Sequence, residues 1–460
     1  MKTVQELLKT AYQLTLEHLS GRPHVGSLLL PLELKKTLGL KLNSEGASDD
    51  VIQKEMSNFL SFSANTLTPQ FQNQLFSGLN PYALAGDWLS TIINTTMATY
   101  EASPVGTLVE KELIQHMNSF VGWKSGDGIM VTGGSNSNLV GMLVARNTLF
   151  PETKTKGLGN KIFTAFVSEE SHYSFDKAVN LMGLGTKNLI KVPADKNGAI
   201  IPSALRQKIQ ESIARGETPF FIAATAGTTV LGAFDPIREL SVIAKEFEIW
   251  LHVDGAWGGS TLLSKKHRHL MAGVELADSM TWDTHKMLGT GLISSFFLTR
   301  HTNALRASND SGDGNYIFHD SENSIWDTGP ASLQCGRRID AIKVWLMWKA
   351  LGDNGLEDLV NQLFIKADRA RDLIARMPEL ELMFESHMLN ICFRYKDSKD
   401  PDKLVINVRQ KLLEEGHHFV NYSTRGGKTF FRMIIANPEL EESHTRNFLE
   451  RIVTLSKEMN

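Results

Sequence analysis

Between about residues 100 and 300 the chain alternates short apolar runs with longer stretches of helical periodicity. Gly128-Ile129-Met130-Val131-Thr132 reads as a strand entering a glycine-rich turn, and 138–149 as the helix after it. Ile162-Phe163-Thr164-Ala165-Phe166-Val167 reads as a strand, with a helix near 175–182. Further strands are expected at Phe220-Phe221-Ile222-Ala223-Ala224-Thr225 and Ile249-Trp250-Leu251-His252-Val253-Asp254, with a helix over 237–247 between them. Strands without an alternating polar face suit a parallel sheet covered on both sides, built from βαβ units. Val4, Leu7, Leu8, Ala11, Leu14 and Leu19 recur at near-helical spacing. A lone amphipathic helix is unstable, so this one is expected to pack on another unit or another subunit. Residues 302–332 are polar and rich in Gly, Asp and Asn, a long loop of the functional or mobile kind. A helix near 337–351 ends at Gly352. Helices over 356–377 and 402–415 and strands over 390–395 and 429–435 then predict an α+β domain.

Composition narrows the class. A chain of 460 residues holds two or three structural units. Its formal net charge of -3 points to neither nucleic acid nor an acidic membrane surface as a partner. Cys335 and Cys392 cannot make a disulfide framework or a four-thiolate metal site, so no metal is expected. The start of the chain carries charges without an apolar signal core, and no run of eighteen apolar residues occurs. A cytoplasmic location with no membrane partner is the expectation.

The chemistry gathers at strand ends, where α/β sheets bind ligands. Thr281-Trp282-Asp283-Thr284-His285-Lys286 places a lysine at the end of a buried strand. A desolvated ammonium is costly, and lysines in such places form Schiff bases, most often with pyridoxal phosphate; a surface lysine with a buried stem is the bland alternative. Thr132-Gly133-Gly134-Ser135-Asn136-Ser137-Asn138 suits an anion at a helix N-terminus, or an ordinary capped turn. His172 and Thr225 stand at two other strand ends, each equally readable as structural. Asp254, in His252-Val253-Asp254-Gly255-Ala256, is a carboxylate at an apolar strand end. Paired with a protonated pyridine nitrogen it is stable, although it could instead cap the next helix. Lys286 follows Asp254 by 286 − 254 = 32 residues, room for one helix and one strand.

Together these segments resemble the pyridoxal-phosphate-dependent group II amino-acid decarboxylases, nearest the glutamate, cysteine-sulfinate and aspartate branch. The resemblance covers about residues 65–455. It runs through Phe71-Gln72-Asn73-Gln74-Leu75-Phe76-Ser77-Gly78-Leu79, Ala83-Leu84-Ala85-Gly86-Asp87-Trp88-Leu89, Leu333-Gln334-Cys335-Gly336-Arg337-Arg338 and Phe430-Phe431-Arg432-Met433. It implies the aspartate-aminotransferase-like fold type I: an α/β architecture with a mostly parallel seven-stranded sheet flanked by helices, plus a small C-terminal α+β domain. The expected bounds are 1–66 for an N-terminal helical segment acting as a dimer clamp, 67–330 for the large domain and 331–460 for the small one.

The resemblance also implies roles. Lys286 would hold the cofactor aldehyde, Asp254 the pyridine nitrogen, and His172 would stack on the ring. Gly134, Ser135 and His285 would bind the phosphate, while Thr225 and Ala256 would line the ring pocket. Gln74 and Arg432 would hold substrate carboxylates. Tyr316, in the 302–332 segment, would donate a proton to the substrate carbanion. The implied activity is α-decarboxylation of a small acidic amino acid by a homodimer, with a different amino acid, or a lyase or aminotransferase reaction, as alternatives. Phe76-Ser77-Gly78-Leu79-Asn80-Pro81 favours the cysteine-sulfinate and aspartate branch. The chain departs from the family in two places. Asp283-Thr284 replaces an Asn-Pro pair, adding a negative charge near the phosphate unless it is turned away or paired. Gly106 replaces a phenylalanine, which would enlarge or reshape a pocket bordering it.

Overall fold

The computed structural model describes residues 3–21, 25, 26, 29–312, 314, 316–319 and 321–460. Twelve strands form two sheets among these residues: β1 Phe71–Gln72, β2 Asp127–Val131, β3 Phe163–Ser168, β4 Leu189–Val192, β5 Thr218–Thr225, β6 Trp250–Asp254, β7 Ser279–Asp283, β8 Ser295–Thr299, β9 Leu380–Leu382, β10 Asn390–Tyr395, β11 Phe419–Arg425 and β12 Lys428–Ile434.

The chain divides into two compact units. One is residues 79–364 with 385–389, and the other is 1–78 with 365–384 and 390–460. These bounds differ from the expected 1–66, 67–330 and 331–460. The N-terminal segment clusters with the C-terminal strands because β1 pairs parallel with β11, Phe71 opposite Phe419. Local periodicity carries no trace of such a pairing.

The larger unit holds the seven-stranded sheet, in the order β2-β8-β7-β6-β5-β3-β4. Strands β3 to β7 run parallel, and β8 runs antiparallel to both β7 and β2. Every residue of β3, β6, β7 and β8 is buried, which explains their lack of polar alternation. Helices Gly134–Leu149, Ser174–Leu181, Pro202–Ala214 and Ile237–Glu246 connect the strands. Val140, Val144, Phe163, Phe175 and Phe221 belong to one apolar cluster of helix and strand side chains. The helix expected near 337–351 is the first part of Ala341–Arg376, interrupted at Gly352 by a positive φ of 63°. Glycine supplies that break without steric cost.

The smaller unit holds the sheet β1-β11-β12-β10-β9 with helices Pro401–Glu415 and Glu442–Met459, an α+β arrangement. No helix among the described residues is long and apolar enough to cross a membrane.

A buried ion pair ties the edge of the large sheet to helix Pro104–Val121. Arg337 Nη1 donates to both carboxylate oxygens of Glu110 at 2.9 Å and to the Met130 carbonyl at 3.1 Å, while Met130 N–H donates to Glu110. Arg337→Met should cost about 3–5 kcal/mol of unfolding free energy, because Glu110 is left as an uncompensated buried charge. Replacing both residues with apolar ones should cost less than the single change. Urea unfolding checks both statements, and a single-variant loss under about 1 kcal/mol would contradict the pair's role.

Candidate active site

Four of the parallel strands end on polar residues: Ser168 on β3, Thr225 on β5, Asp254 on β6 and Asp283 on β7. The register sets Thr225 beside Asp254 and Asp254 beside Thr281. The twist and spacing of a parallel sheet therefore bring residues far apart in sequence to one edge.

Asp254 is 4 % exposed, and its carboxylate oxygens accept from two donors. Asn138 Nδ2 donates to Oδ2 at 2.8 Å and Ala256 N–H to Oδ1 at 3.2 Å. Asn138 is itself held. Its Oδ1 lies 3.0 Å from His252 Nε2 and accepts from the Thr281 hydroxyl at 2.8 Å. His252 Nδ1 lies 2.8 Å from Ser279 Oγ, which accepts from Trp250 Nε1 at 2.8 Å. An indole N–H only donates and an amide oxygen only accepts. The chain therefore has one direction, from Trp250 through Ser279, His252 and Asn138 to Asp254. It requires a neutral His252, and complete burial pushes that ring down to about 3. The helix approaches closely enough that a Cβ on Gly141 would meet His252 Nδ1 at 2.9 Å.

Lys286 stands on a single helical turn, Thr284–Met287, directly after β7. Its Nζ lies 3.2 Å from Asp283 Oδ2. Asp283 is thus paired, not turned away, and its carboxylate also abuts Gly134, where a Cβ would come 2.7 Å from Oδ2. The same Cβ would come 3.2 Å from that of Ala256, so Gly134, Ala256 and Asp283 share one spot. His285 Nδ1 packs on the Ser294 backbone at 3.1 and 3.2 Å, and burial holds the ring below the ordinary imidazole range. His172 Nδ1 accepts from Ser174 N–H at 3.2 Å. Burial lowers His172 as well; Lys286 adds to that lowering, while Asp254 and Asp283 pull the other way. Asp254, Lys286 and Asp283 thus act together on one imidazole.

Thr225 N–H donates to Asp235 Oδ2 at 2.6 Å, and Ile200 N–H to Oδ1 at 2.7 Å. Burial pushes Asp235 up to about 7 against these two bonds. The Thr225 hydroxyl oxygen is buried with no hydrogen-bond partner among the described residues. Tyr316 is 81 % exposed. Gln74 and Arg432 lie in the smaller unit, where Arg432 Nη2 donates to the Asn73 carbonyl at 2.8 Å. Gly106 leaves no enlarged space: a Cβ there would meet Ser103 Oγ at 2.3 Å and Met97 Sδ at 2.7 Å. Neighbouring side chains occupy the space beside Gly106.

Sequence reasoning missed Asn138, His252, Ser279 and Thr281. A signal existed: His252 shares a strand face with Asp254 by the period of two, and Asn138 lies one helical turn after Gly134. The donor set fits a phosphorylated pyridine aldehyde. It has a lysine, a charged carboxylate, an orphaned hydroxyl and a helix start that any side chain larger than glycine's would fill.

Comparison with known proteins agrees. Residues 31–396 match the pyridoxal-dependent decarboxylase conserved domain. The chain is 38% identical over 445 residues to the cysteine sulfinic acid decarboxylase of Mus musculus, covering 93% of this chain and 90% of that protein. It is equally 38% identical to the mouse acidic amino acid decarboxylase GADL1, covering 93% and 81%. The crystal structure of mouse CSAD in apo form superposes with a TM-score of 0.95 at 36% identity, covering 98% of each chain.

His252 gives a pH test. Its unfolded ring titrates near 6.5 and its folded ring at about 3. Above pH 6.5 both states are neutral at this ring. As pH falls below that, only the unfolded chain takes up the proton, so folding loses up to about 1.4 kcal/mol per pH unit from this group. His252→Gln lacks this loss. Urea unfolding should show the variant gaining about 1 kcal/mol relative to wild type between pH 7 and pH 5.5, with Asp235 cancelling because both proteins carry it. An unchanged difference would mean that His252 is protonated in the folded chain.

Proposed function

The chain belongs to the pyridoxal-dependent decarboxylase family and is a carboxy-lyase using pyridoxal 5'-phosphate, and from that premise we propose that it removes the α-carboxylate of a small acidic L-amino acid: aspartate, cysteine sulfinate or glutamate. The observation that carries the reading is that Asp254 ends β6 and Lys286 stands on the turn directly after its parallel neighbour β7, with its Nζ 3.2 Å from Asp283 Oδ2. When bound, the cofactor supplies an electron-withdrawing ring for the electron pair left behind by carbon dioxide.

The chain's residues do the rest. Lys286 Nζ would hold the cofactor through its aldehyde. Asp254, whose oxygens accept from Asn138 and Ala256, would hold a proton at the ring nitrogen. His172 covers the ring, and Thr225 and Ala256 line its pocket. Gly134, Ser135 and His285 bind the phosphate. Arg432, with Gln74, holds the substrate's carboxylates, a task suited to the two parallel donors of a guanidinium. Tyr316, or His172 with Lys286, returns a proton to Cα. The acidic substrate class is supported by the similarity to cysteine sulfinic acid decarboxylase and to GADL1. A cytoplasmic enzyme agrees with two cysteines that form no disulfide.

Purified wild type should show a visible absorbance that borohydride removes, and it should release carbon dioxide from one of the three acidic amino acids. Lys286→Ala should lose both. Full activity in that variant, or keto-acid release in place of carbon dioxide, would refute the assignment.

We also propose a homodimer. Val4, Leu7, Leu8, Leu16 and Leu19 are all exposed on helix Val4–Gly21, and Phe59 is exposed on Asp49–Phe62. Light scattering should give twice the chain mass of 51.2 kDa. A fully active particle of single-chain mass would contradict this.

A further inference from the structure

Asp283 has no task in the reading above. It ends β7, is 2 % exposed, and its Oδ2 lies 3.2 Å from Lys286 Nζ and 3.8 Å from His285 Nε2. Its other oxygen, Oδ1, is buried and has no hydrogen-bond partner among the described residues. The carboxylate sits against Gly134, the first residue of the sixteen-residue helix Gly134–Leu149. A helix start with unpaired amide N–H groups and a half-satisfied buried carboxylate therefore coincide.

The charged and titratable groups around it are few. Lys286 and His285 lie on its own turn. His172, after β3, feels Asp283, Asp254 and Lys286 together. Lys343, on Ala341–Arg376, acts on His285 but is itself paired with Asp340 at 2.9 Å. Burial disfavours the charged form of both histidines. Lys286 is the cation in direct contact with Asp283.

We propose that Asp283 is a resident anion of the phosphate cradle, so that binding of the cofactor phosphate displaces its hold on Lys286 and takes up one proton from solvent, shared between the carboxyl and the phosphate. The inference rests on Gly134, Ser135 and His285 being the phosphate-binding residues. The balance is simple: one proton leaves the buffer, one O–H bond forms, and the carboxylate–phosphate pair carries one negative charge fewer. Without that proton two anions would face each other where water is excluded.

The test uses the cofactor-free full chain and pyridoxine 5'-phosphate, which has no aldehyde and cannot bond to Lys286. Calorimetry at about pH 8, where the free ester is a dianion, in buffers of different ionisation enthalpy counts the protons. Wild type should take up close to one proton per ligand and lose affinity about tenfold per pH unit. Asp283→Asn should take up almost none and bind about tenfold more tightly. Asp283→Ser, which lacks the amide, should also lose the uptake. Binding by wild type without proton uptake overturns the proposal and leaves the cradle standing. Uptake that persists in both variants assigns the proton to a histidine and overturns it too. If neither this ester nor inorganic phosphate binds wild type, the cradle reading itself fails, and this inference with it.

Discussion

The larger unit depends on supplying one buried carboxylate with donors where there is almost no water. A buried carboxylate without donors would protonate or cost several kcal/mol. Asp254 is supplied with an amide N–H from Asn138 and a backbone N–H from Ala256. The Asn138 amide could face either way, and a flipped amide would point its oxygen at the carboxylate. His252 prevents the flip by offering its own N–H to that oxygen, and Ser279 fixes the imidazole tautomer in turn. The chain terminates on the indole of Trp250, a donor without an acceptor, so no proton along it has a second place to go.

Asp254 and Asp283 end adjacent strands, yet their partners differ in kind. Asp254 is held by neutral donors, while Asp283 is held by an ammonium. A carboxylate fixed by neutral dipoles keeps its attraction for an incoming cation such as a protonated ring nitrogen. One already answered by Lys286 has its charge spent locally, and anything that binds Lys286 must disturb it. Sheet geometry thus gives two identical side chains two electrostatic settings by neighbourhood alone.

Much of this was legible in the chain. The apolar runs ending in Thr225 and Asp254 are strands β5 and β6 to the residue at their C-terminal ends, because a polar residue after a run buried on both faces marks where the sheet meets solvent or ligand. The glycine turn before helix Gly134–Leu149 and the turn bearing Lys286 were visible for the same reason. Strand β8 has no counterpart among the expected strands. It is a short run after the glycine-rich 289–291, antiparallel to both neighbours, so no βαβ spacing announces it. The grouping of 1–78 with the C-terminal strands was hidden because β1 is two residues long and its partner lies 419 − 71 = 348 residues away. At Gly106 the substitution alone does not show what occupies the space beside it, which Met97 and Ser103 take up.

The polar network also explains why helix Gly134–Leu149 has so weak an apolar stripe. Its inward residues Ser137 and Asn138 meet a sheet face that carries His252, Asp254, Ser279 and Thr281. The opposite face of the same strands carries Val253, Met280 and Trp282. An apolar helix would pack on that polar face with any of several small shifts, each leaving a buried donor or acceptor unmet. Matched polar groups permit only one, since every shift breaks several bonds at once. Gly141 allows the fit by letting the helix backbone approach the imidazole. The start of the helix is thereby set against Asp283 and Ala256 by bonds lying a full turn deeper, and the place where an anion can bind follows from the packing beneath it.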